Sequence, residues 1–149
     1  MAGRHTPERD KFQLLLSLII GGIFIYAASP KILAPDAFYL DIIGYNLVGG
    51  FLAKVIALWL PWVELLAGIG VILGVWYLPN LRILQWLLSV FVVLLFITLL
   101  RGITTDCGCF GSAGGRVTWW HVFGDLVLLL MTTFLISWTR YAGERRTQD

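Results

Sequence analysis

Apolar residues in this chain run in four long blocks. The first extends from Phe12 to Ala28 without a charged residue, and the second lies within Val55–Trp76, interrupted only by Glu64. The third, Ile83–Leu100, carries no charge; the fourth, Val117–Trp138, is broken by His121 and Asp125. A helix that crosses the hydrocarbon core of a bilayer needs about 20 mostly apolar residues, and each block approaches that length. Lipid offers the backbone no hydrogen-bond partner, so each block is expected to be helical. Nothing in the pattern resembles the period-two alternation of a barrel strand. The expected fold class is all-α, a polytopic four-transmembrane-helix bundle forming one domain over residues 1–149, with spans at about 12–28, 61–78, 83–100 and 117–138.

The helix breakers divide the chain in the same way. Ser29-Pro30 and Ala34-Pro35 are expected to end the first helix. Proline fits the first turn of a helix and kinks an interior, so Pro61 points to a second span that begins there, with residues 36–60 forming a short surface-lying segment. Pro79-Asn80 reads as a tight turn between the second and third spans, and residues 102–115 form the glycine-rich loop. Gly68, Gly70 and Gly74, with Ala67, suit close packing of helices. The first block superficially resembles a signal peptide, with Arg4, Arg9 and Lys11 before it and Ala27-Ala28-Ser29 after it. Its run is long for such a segment, however, and bulky Ile25 or Tyr26 falls at the −3 site of either alanine cleavage point, so a retained helix is expected.

Composition sharpens this picture. Of the 149 residues, 58% are hydrophobic and 13% are charged, and mean hydropathy is +0.83. Soluble domains carry about 25% charged residues, which argues against a water-soluble globule, and such apolarity excludes disorder. A net charge of +2 from eleven Lys plus Arg leaves no basic face for nucleic acid. Lys and Arg also predict orientation. Arg4, Arg9, Lys11, Arg82, Arg140, Arg145 and Arg146 fall on the side of both termini; Lys31, Lys54, Arg101 and Arg116 fall on the other. Cytoplasmic termini in a bacterial inner (plasma) membrane are therefore expected, with the glycine-rich loop facing outward.

That loop holds both cysteines of the chain, within Asp106-Cys107-Gly108-Cys109-Phe110-Gly111-Ser112. Two cysteines cannot build a disulfide-rich scaffold. A Cys-x-Cys disulfide forces its two Cα atoms close together and is strained, although the intervening Gly108 relaxes the backbone limits. Strained, exposed disulfides are the labile ones, suited to thiol exchange, and one this local would close almost no loop as a staple. Thiolates also favour Cu(I) or Zn, but two ligands are too few for a closed site, and His121 is the sole obvious third; no metal is expected. Two inert buried cysteines are the plainest alternative. Arg101 and Arg116 flank the motif and can hold thiolate charge.

Three segments together resemble the MauE/DoxX group of small four-helix membrane proteins. They are Ser29-Pro30-Lys31-Ile32-Leu33, Leu60-Pro61-Trp62-Val63-Glu64-Leu65-Leu66-Ala67-Gly68, and Cys107-Gly108-Cys109-Phe110-Gly111. The last is the sharpest and points to the MauE-like branch. The resemblance implies thiol–disulfide chemistry at the membrane beside a thioredoxin-like partner. Proteins of that branch are associated with maturation of the disulfide-rich subunit of methylamine dehydrogenase. The disulfide-generating four-helix proteins DsbB and vitamin K epoxide reductase offer a broader comparison. They use two cysteine pairs, one near a quinone, whereas this chain has one pair.

Ionisable residues inside spans are functional candidates by default. Lys31 and Glu64 fall near the same end of their helices, either as an ion pair that fixes two helices or as charges beneath the cysteine loop. His121 and Asp125, spaced i and i+4, share one helix face. They read either as an interhelical hydrogen-bonding pair or as a proton relay to a bound quinone or to the dithiol. The tryptophans fit interfacial belts, and Tyr45, Phe110 and Trp62 are candidates to line a quinone or lipid pocket. The leading expectation is a thiol–disulfide oxidoreductase that exchanges electrons between Cys107/Cys109 and an extracytoplasmic thioredoxin-like or disulfide-containing client, with coupling to a membrane quinone. Gly108, Phe110 and Gly111 would set the loop geometry, with Lys31, Glu64, Asp106, His121 and Asp125 in support. The alternatives are a non-catalytic accessory or assembly subunit in a larger complex or homo-oligomer, and a small metal- or solute-binding membrane protein.

Overall fold

The computed structural model describes residues 11–102 and 119–146, with side chains as far as Tyr141. Five helices account for nearly all of them: α1 (Lys11–Leu33), α2 (Pro35–Gly44), α3 (Gly50–Leu73), α4 (Tyr77–Leu100) and α5 (Trp119–Arg146). Among the described residues there is no strand. Four of the helices are long and apolar enough to cross a membrane, α1, α3 and α4 along their whole length and α5 over Trp119–Tyr141. At 1.5 Å per residue each runs about 35 Å, enough for a hydrocarbon core of about 30 Å. Large side chains such as Phe51, Trp59, Leu66 and Leu100 point outward and are exposed. In water such a surface would drive aggregation; in lipid it is the solvated face.

The boundaries differ from the sequence expectation in three places, each with a local cause. First, α1 continues through Pro30 to Leu33. The Ala34 N–H donates to the Pro30 carbonyl at 2.9 Å, which closes the last turn, and the break falls at Ala34-Pro35 alone. Second, the second span starts at Gly50, so Pro61 lies inside α3 and is fully buried. A mid-helix proline is tolerated in a membrane helix whose neighbours pack around it. The segment between the spans is accordingly shorter than expected: α2 followed by five linking residues. Third, the reversal between α3 and α4 falls at Gly74-Val75-Trp76, where Gly74 (φ 72°) and Trp76 (φ 47°) both adopt left-handed backbone. Asn80 donates from Nδ2 to the Val75 carbonyl at 2.8 Å and pins this turn. Pro79 sits in the first turn of α4, where its missing N–H is of no consequence.

The spans pack as a ring, α1 against α3, α3 against α4, α4 against α5, and α5 more lightly against α1. The α1–α3 contact is the closest. A Cβ placed on Gly21 would lie 2.5 Å from Ile72 Cγ1 and 2.7 Å from the Gly68 carbonyl oxygen. Two facing glycines therefore bring the backbones together, as small residues do in membrane helices. The main core is built from Ile20, Phe24, Val71, Leu81, Leu84 and Leu135, with their neighbours. Polar side chains cross-link it: Ser17 and Tyr77 hydroxyls lie 2.8 Å apart, Gln13 donates to Thr139 (3.2 Å), and Gln85 donates to Thr133 (2.9 Å).

The opposite end is built differently. α2 lays Phe38 and Ile42 on Ala53 and Ala57 at the start of α3. The chain then carries Tyr45 across to Leu95 on α4, where Phe91 and Val122 complete a small cluster. The ends of α1 and α4 and the starts of α3 and α5 meet there, so the sequence that carries both cysteines connects two helices at this end.

Candidate functional site

Lys31 stands in the last turn of α1 and Glu64 in the middle of α3. The Lys31 ammonium donates to both Glu64 carboxylate oxygens, at 3.0 Å to Oε1 and 2.8 Å to Oε2. Both side chains are buried, 4% and 10% exposed, so the pair is shielded from solvent and lipid alike. The ammonium also lies 5.0 Å from the centre of the Phe38 ring, which ties α2 to the pair. An ion pair of this kind offsets the cost of two buried charges only because each charge is fully engaged by the other. The ion-pair alternative for these two residues is therefore a feature of the fold.

The pair forms one wall of a partly open cavity of about 330 Å³ that reaches all four spans. On α1 its lining follows the helical repeat Ile23, Ala27, Lys31; on α3 it follows Ile56, Leu60, Glu64. α4 contributes a stripe from Trp86 to Leu94, and α5 contributes Asp125 and Leu128. The Asp125 Oδ2 atom is buried and has no hydrogen-bond partner. Lys31 and His121 both lie within electrostatic reach of that carboxylate. Lys31, Glu64 and Asp125, far apart in sequence, thus converge on one intramembrane chamber, with His121 one turn closer to the start of α5.

The remaining expected site residues divide into two groups. Asp106, Cys107, Gly108, Cys109, Phe110 and Gly111 lie outside the described residues, as does Arg116. Of the proposed pocket aromatics, Tyr45 is buried against Leu95 and Trp62 is about half exposed on α3; neither lines the chamber. The aromatics that do are Phe24, Phe91 and Trp86. Trp86 gave no distinguishing signal in the sequence, since an interfacial and a chamber-lining tryptophan look alike there. Arg101 caps α4 and is exposed. Among the described residues no three His, Cys, Asp or Glu side chains gather as a metal site.

Comparison with known proteins gives a consistent result. The family described as Methylamine utilisation protein MauE matches residues 9–138. Methylamine utilization protein MauE of Methylorubrum extorquens is 30% identical over 113 residues, covering 75% of this chain and 61% of that protein. Its namesake in Methylophilus methylotrophus is 30% identical over 132 residues, 83% and 67% of the two chains. That of Paracoccus denitrificans is 32% identical over 115 residues, 76% and 62%. The matched region therefore spans between three fifths and two thirds of these relatives' length. No solved structure matches the chain.

Proposed function

The chain belongs to the MauE family of multi-pass membrane proteins, and from that premise we propose that it is a membrane thiol–disulfide redox protein whose Cys107/Cys109 pair exchanges electrons with an extracytoplasmic thioredoxin-like or disulfide-containing client. One observation carries this reading. Both cysteines of the chain fall in a single Cys-Gly-Cys-Phe-Gly element, between the helices α4 and α5 that bound the chamber. The relatives are named for methylamine utilisation, and by that likeness the client belongs to such a system.

The exchange balances as follows. A thiolate of the pair attacks one sulfur of the client disulfide and forms a mixed disulfide. The second cysteine then displaces the client thiolate, leaving Cys107–Cys109 oxidised and the client a dithiol. Two electrons pass to the client, and the two thiol protons are released to solvent or to the client thiolates. The reverse sequence oxidises a client instead. When the pair must be reoxidised, a membrane quinone would supply the acceptor for its two electrons and two protons. His121 and Asp125 on one face of α5 would supply the proton path between loop and chamber. The proposed setting is a bacterial inner membrane with cytoplasmic termini and the cysteine loop outside.

A second reading has one specific observation in its favour. The single cysteine pair, where DsbB and vitamin K epoxide reductase have two, suits an accessory subunit that relies on a partner for the second pair. Labelling cells with a membrane-impermeant thiol reagent separates the two readings. The redox reading expects labelling of Cys107 and Cys109 only after reduction, and loss of exchange in Cys107→Ser and in Cys109→Ser with the bundle still folded. Normal exchange by both single variants would overturn it.

A further inference from the structure

The chamber itself calls for an occupant, and its chemistry specifies one. Buried polar atoms in folded proteins are almost always hydrogen-bonded, and one left unpaired needs a specific explanation. Among the described residues the other buried polar side-chain atoms find partners: Ser17 on Gln13 and Tyr77, Thr132 on Leu128 and Leu129, Lys31 on Glu64. Asp125 Oδ2 does not, and its residue lines the chamber that all four spans share. A carboxylate oxygen accepts hydrogen bonds, so the missing group is a donor. The surrounding walls are Ile, Leu, Val, Phe and Trp, with Lys31 and Glu64 committed to each other. The donor must therefore arrive on an apolar body.

The shape agrees. Ile23, Ala27 and Lys31 span two helical turns on α1, which is about 12 Å of wall. A chamber of about 330 Å³ falls at the small end of ligand pockets. Trp86 is largely exposed, nine residues inside α4, and stands at the rim. At that depth its surroundings are lipid, so an occupant enters from the bilayer. The inner surface is capped by packing on both sides: the Tyr45–Leu95 cluster at one end and the Phe24–Leu84–Leu135 core at the other.

We infer that the chamber between α1, α3, α4 and α5 is a binding site for a small lipid-soluble molecule that presents a hydroxyl head to Asp125. Ring-bearing quinols and hydroxylated lipids share that chemistry. The inference stands apart from the cysteine reading, because the chamber and the unpaired oxygen exist whether or not the thiols turn over; its test accordingly reads binding and not exchange.

The test uses the full chain in detergent, with unfolding followed by tryptophan fluorescence against temperature. The probes are 1-decanol, its donor-free counterpart decyl methyl ether, and a short-chain ubiquinol. A ligand of the folded state at about tenfold excess over its dissociation constant raises the midpoint by about 3–5 °C for a chain of this size. Decanol or the ubiquinol is expected to give that shift and the ether is not. Asp125→Leu removes the difference between alcohol and ether, and Ala27→Phe, which fills the α1 wall, removes the shift with every probe. If the ubiquinol acts at a tenfold lower concentration than decanol, the occupant is a quinol; if decanol acts at equal or lower concentration, it is a hydroxylated lipid. Equal shifts from alcohol and ether, or an alcohol advantage that survives Asp125→Leu, would overturn the inference.

Discussion

At the Gly74 end of the bundle, Gly21 and Gly68 bring α1 and α3 into backbone contact, and the polar side chains inside are neutral and hydrogen-bonded across helices. At the Trp119 end the same four helices part around a chamber, and the polar groups inside are charged: Lys31, Glu64 and Asp125. One end shows how a membrane bundle is held together. The other departs from that economy of polar groups, and departures of this kind mark functional sites, because a charge in lipid persists only where something requires it. The Lys31–Glu64 pair supports both ends at once: it joins α1 to α3 beyond the reach of the glycine contact and forms the wall of the chamber.

The largest effect should come from breaking that pair on one side. Glu64→Ala leaves the Lys31 ammonium buried beside the Phe38 ring with only the Asp125 carboxylate in electrostatic reach, and removing one member of a buried pair destabilises by about 3–5 kcal/mol. Replacing both, as Lys31→Met with Glu64→Leu, removes both charges and is expected to recover most of that loss. Denaturant unfolding in detergent measures each. If Glu64→Ala unfolds like the parent protein, the pair contributes nothing to the fold and the contrast between the two ends loses its footing.

The glycine contact offers the next step down. A methyl group on Gly21 meets Ile72 and the Gly68 carbonyl closer than real atoms approach, and overpacking of this sort costs about 1–3 kcal/mol. The neighbouring Gly22 faces open space. Gly22→Ala is expected to be neutral or stabilising by about 0.5–1 kcal/mol, since alanine is the better helix former. The unfolding midpoint should therefore fall for Gly21→Ala and hold or rise for Gly22→Ala. Equal shifts would mean that α1 and α3 are not in backbone contact.

Different parts of this molecule were legible in the sequence to different degrees, for physical reasons. The four spans were visible because lipid demands unbroken apolar helices, a constraint that reads directly as hydropathy. Their limits were not, because proline reports differently in lipid and in water: Pro61 is buried mid-helix in α3 and Pro79 opens α4, while Gly74, read as a packing residue, makes the turn. Glu64 stood out as a charge in an apolar block and Lys31 as one just beyond another, but the expectation that both sit at helix ends holds for Lys31 alone: Glu64 lies in the middle of α3, and the last turn of α1 packs against that middle. The chamber was hidden. Its walls are Ile, Leu and Val that look like any lipid-facing residue, and its aromatic rim is Trp86, not the expected Tyr45 or Trp62. Tyr45 instead reaches Leu95 across the bundle, a tertiary contact with no local signature.

The smallest effect tests the ordinary end most finely. Tyr77→Phe removes a hydroxyl that lies 2.8 Å from the Ser17 hydroxyl. Ser17 keeps its bond to the Gln13 carbonyl at 2.7 Å, so the substitution leaves it satisfied. Interhelical hydrogen bonds of this kind in membranes are worth about 0.6 kcal/mol, and a loss of that order is expected in the unfolding free energy. Asp125→Leu makes the matching change at the other end, removing a polar atom that has no partner. In the absence of added alcohol it is expected to raise stability, because it removes an unsatisfied buried group instead of a bond. The two substitutions each delete buried oxygen, and their opposite signs follow from one difference: whether the oxygen has a partner within the protein. Loss of stability in both would place a partner for Asp125 inside the fold and make the chamber a packing feature like the glycine contact.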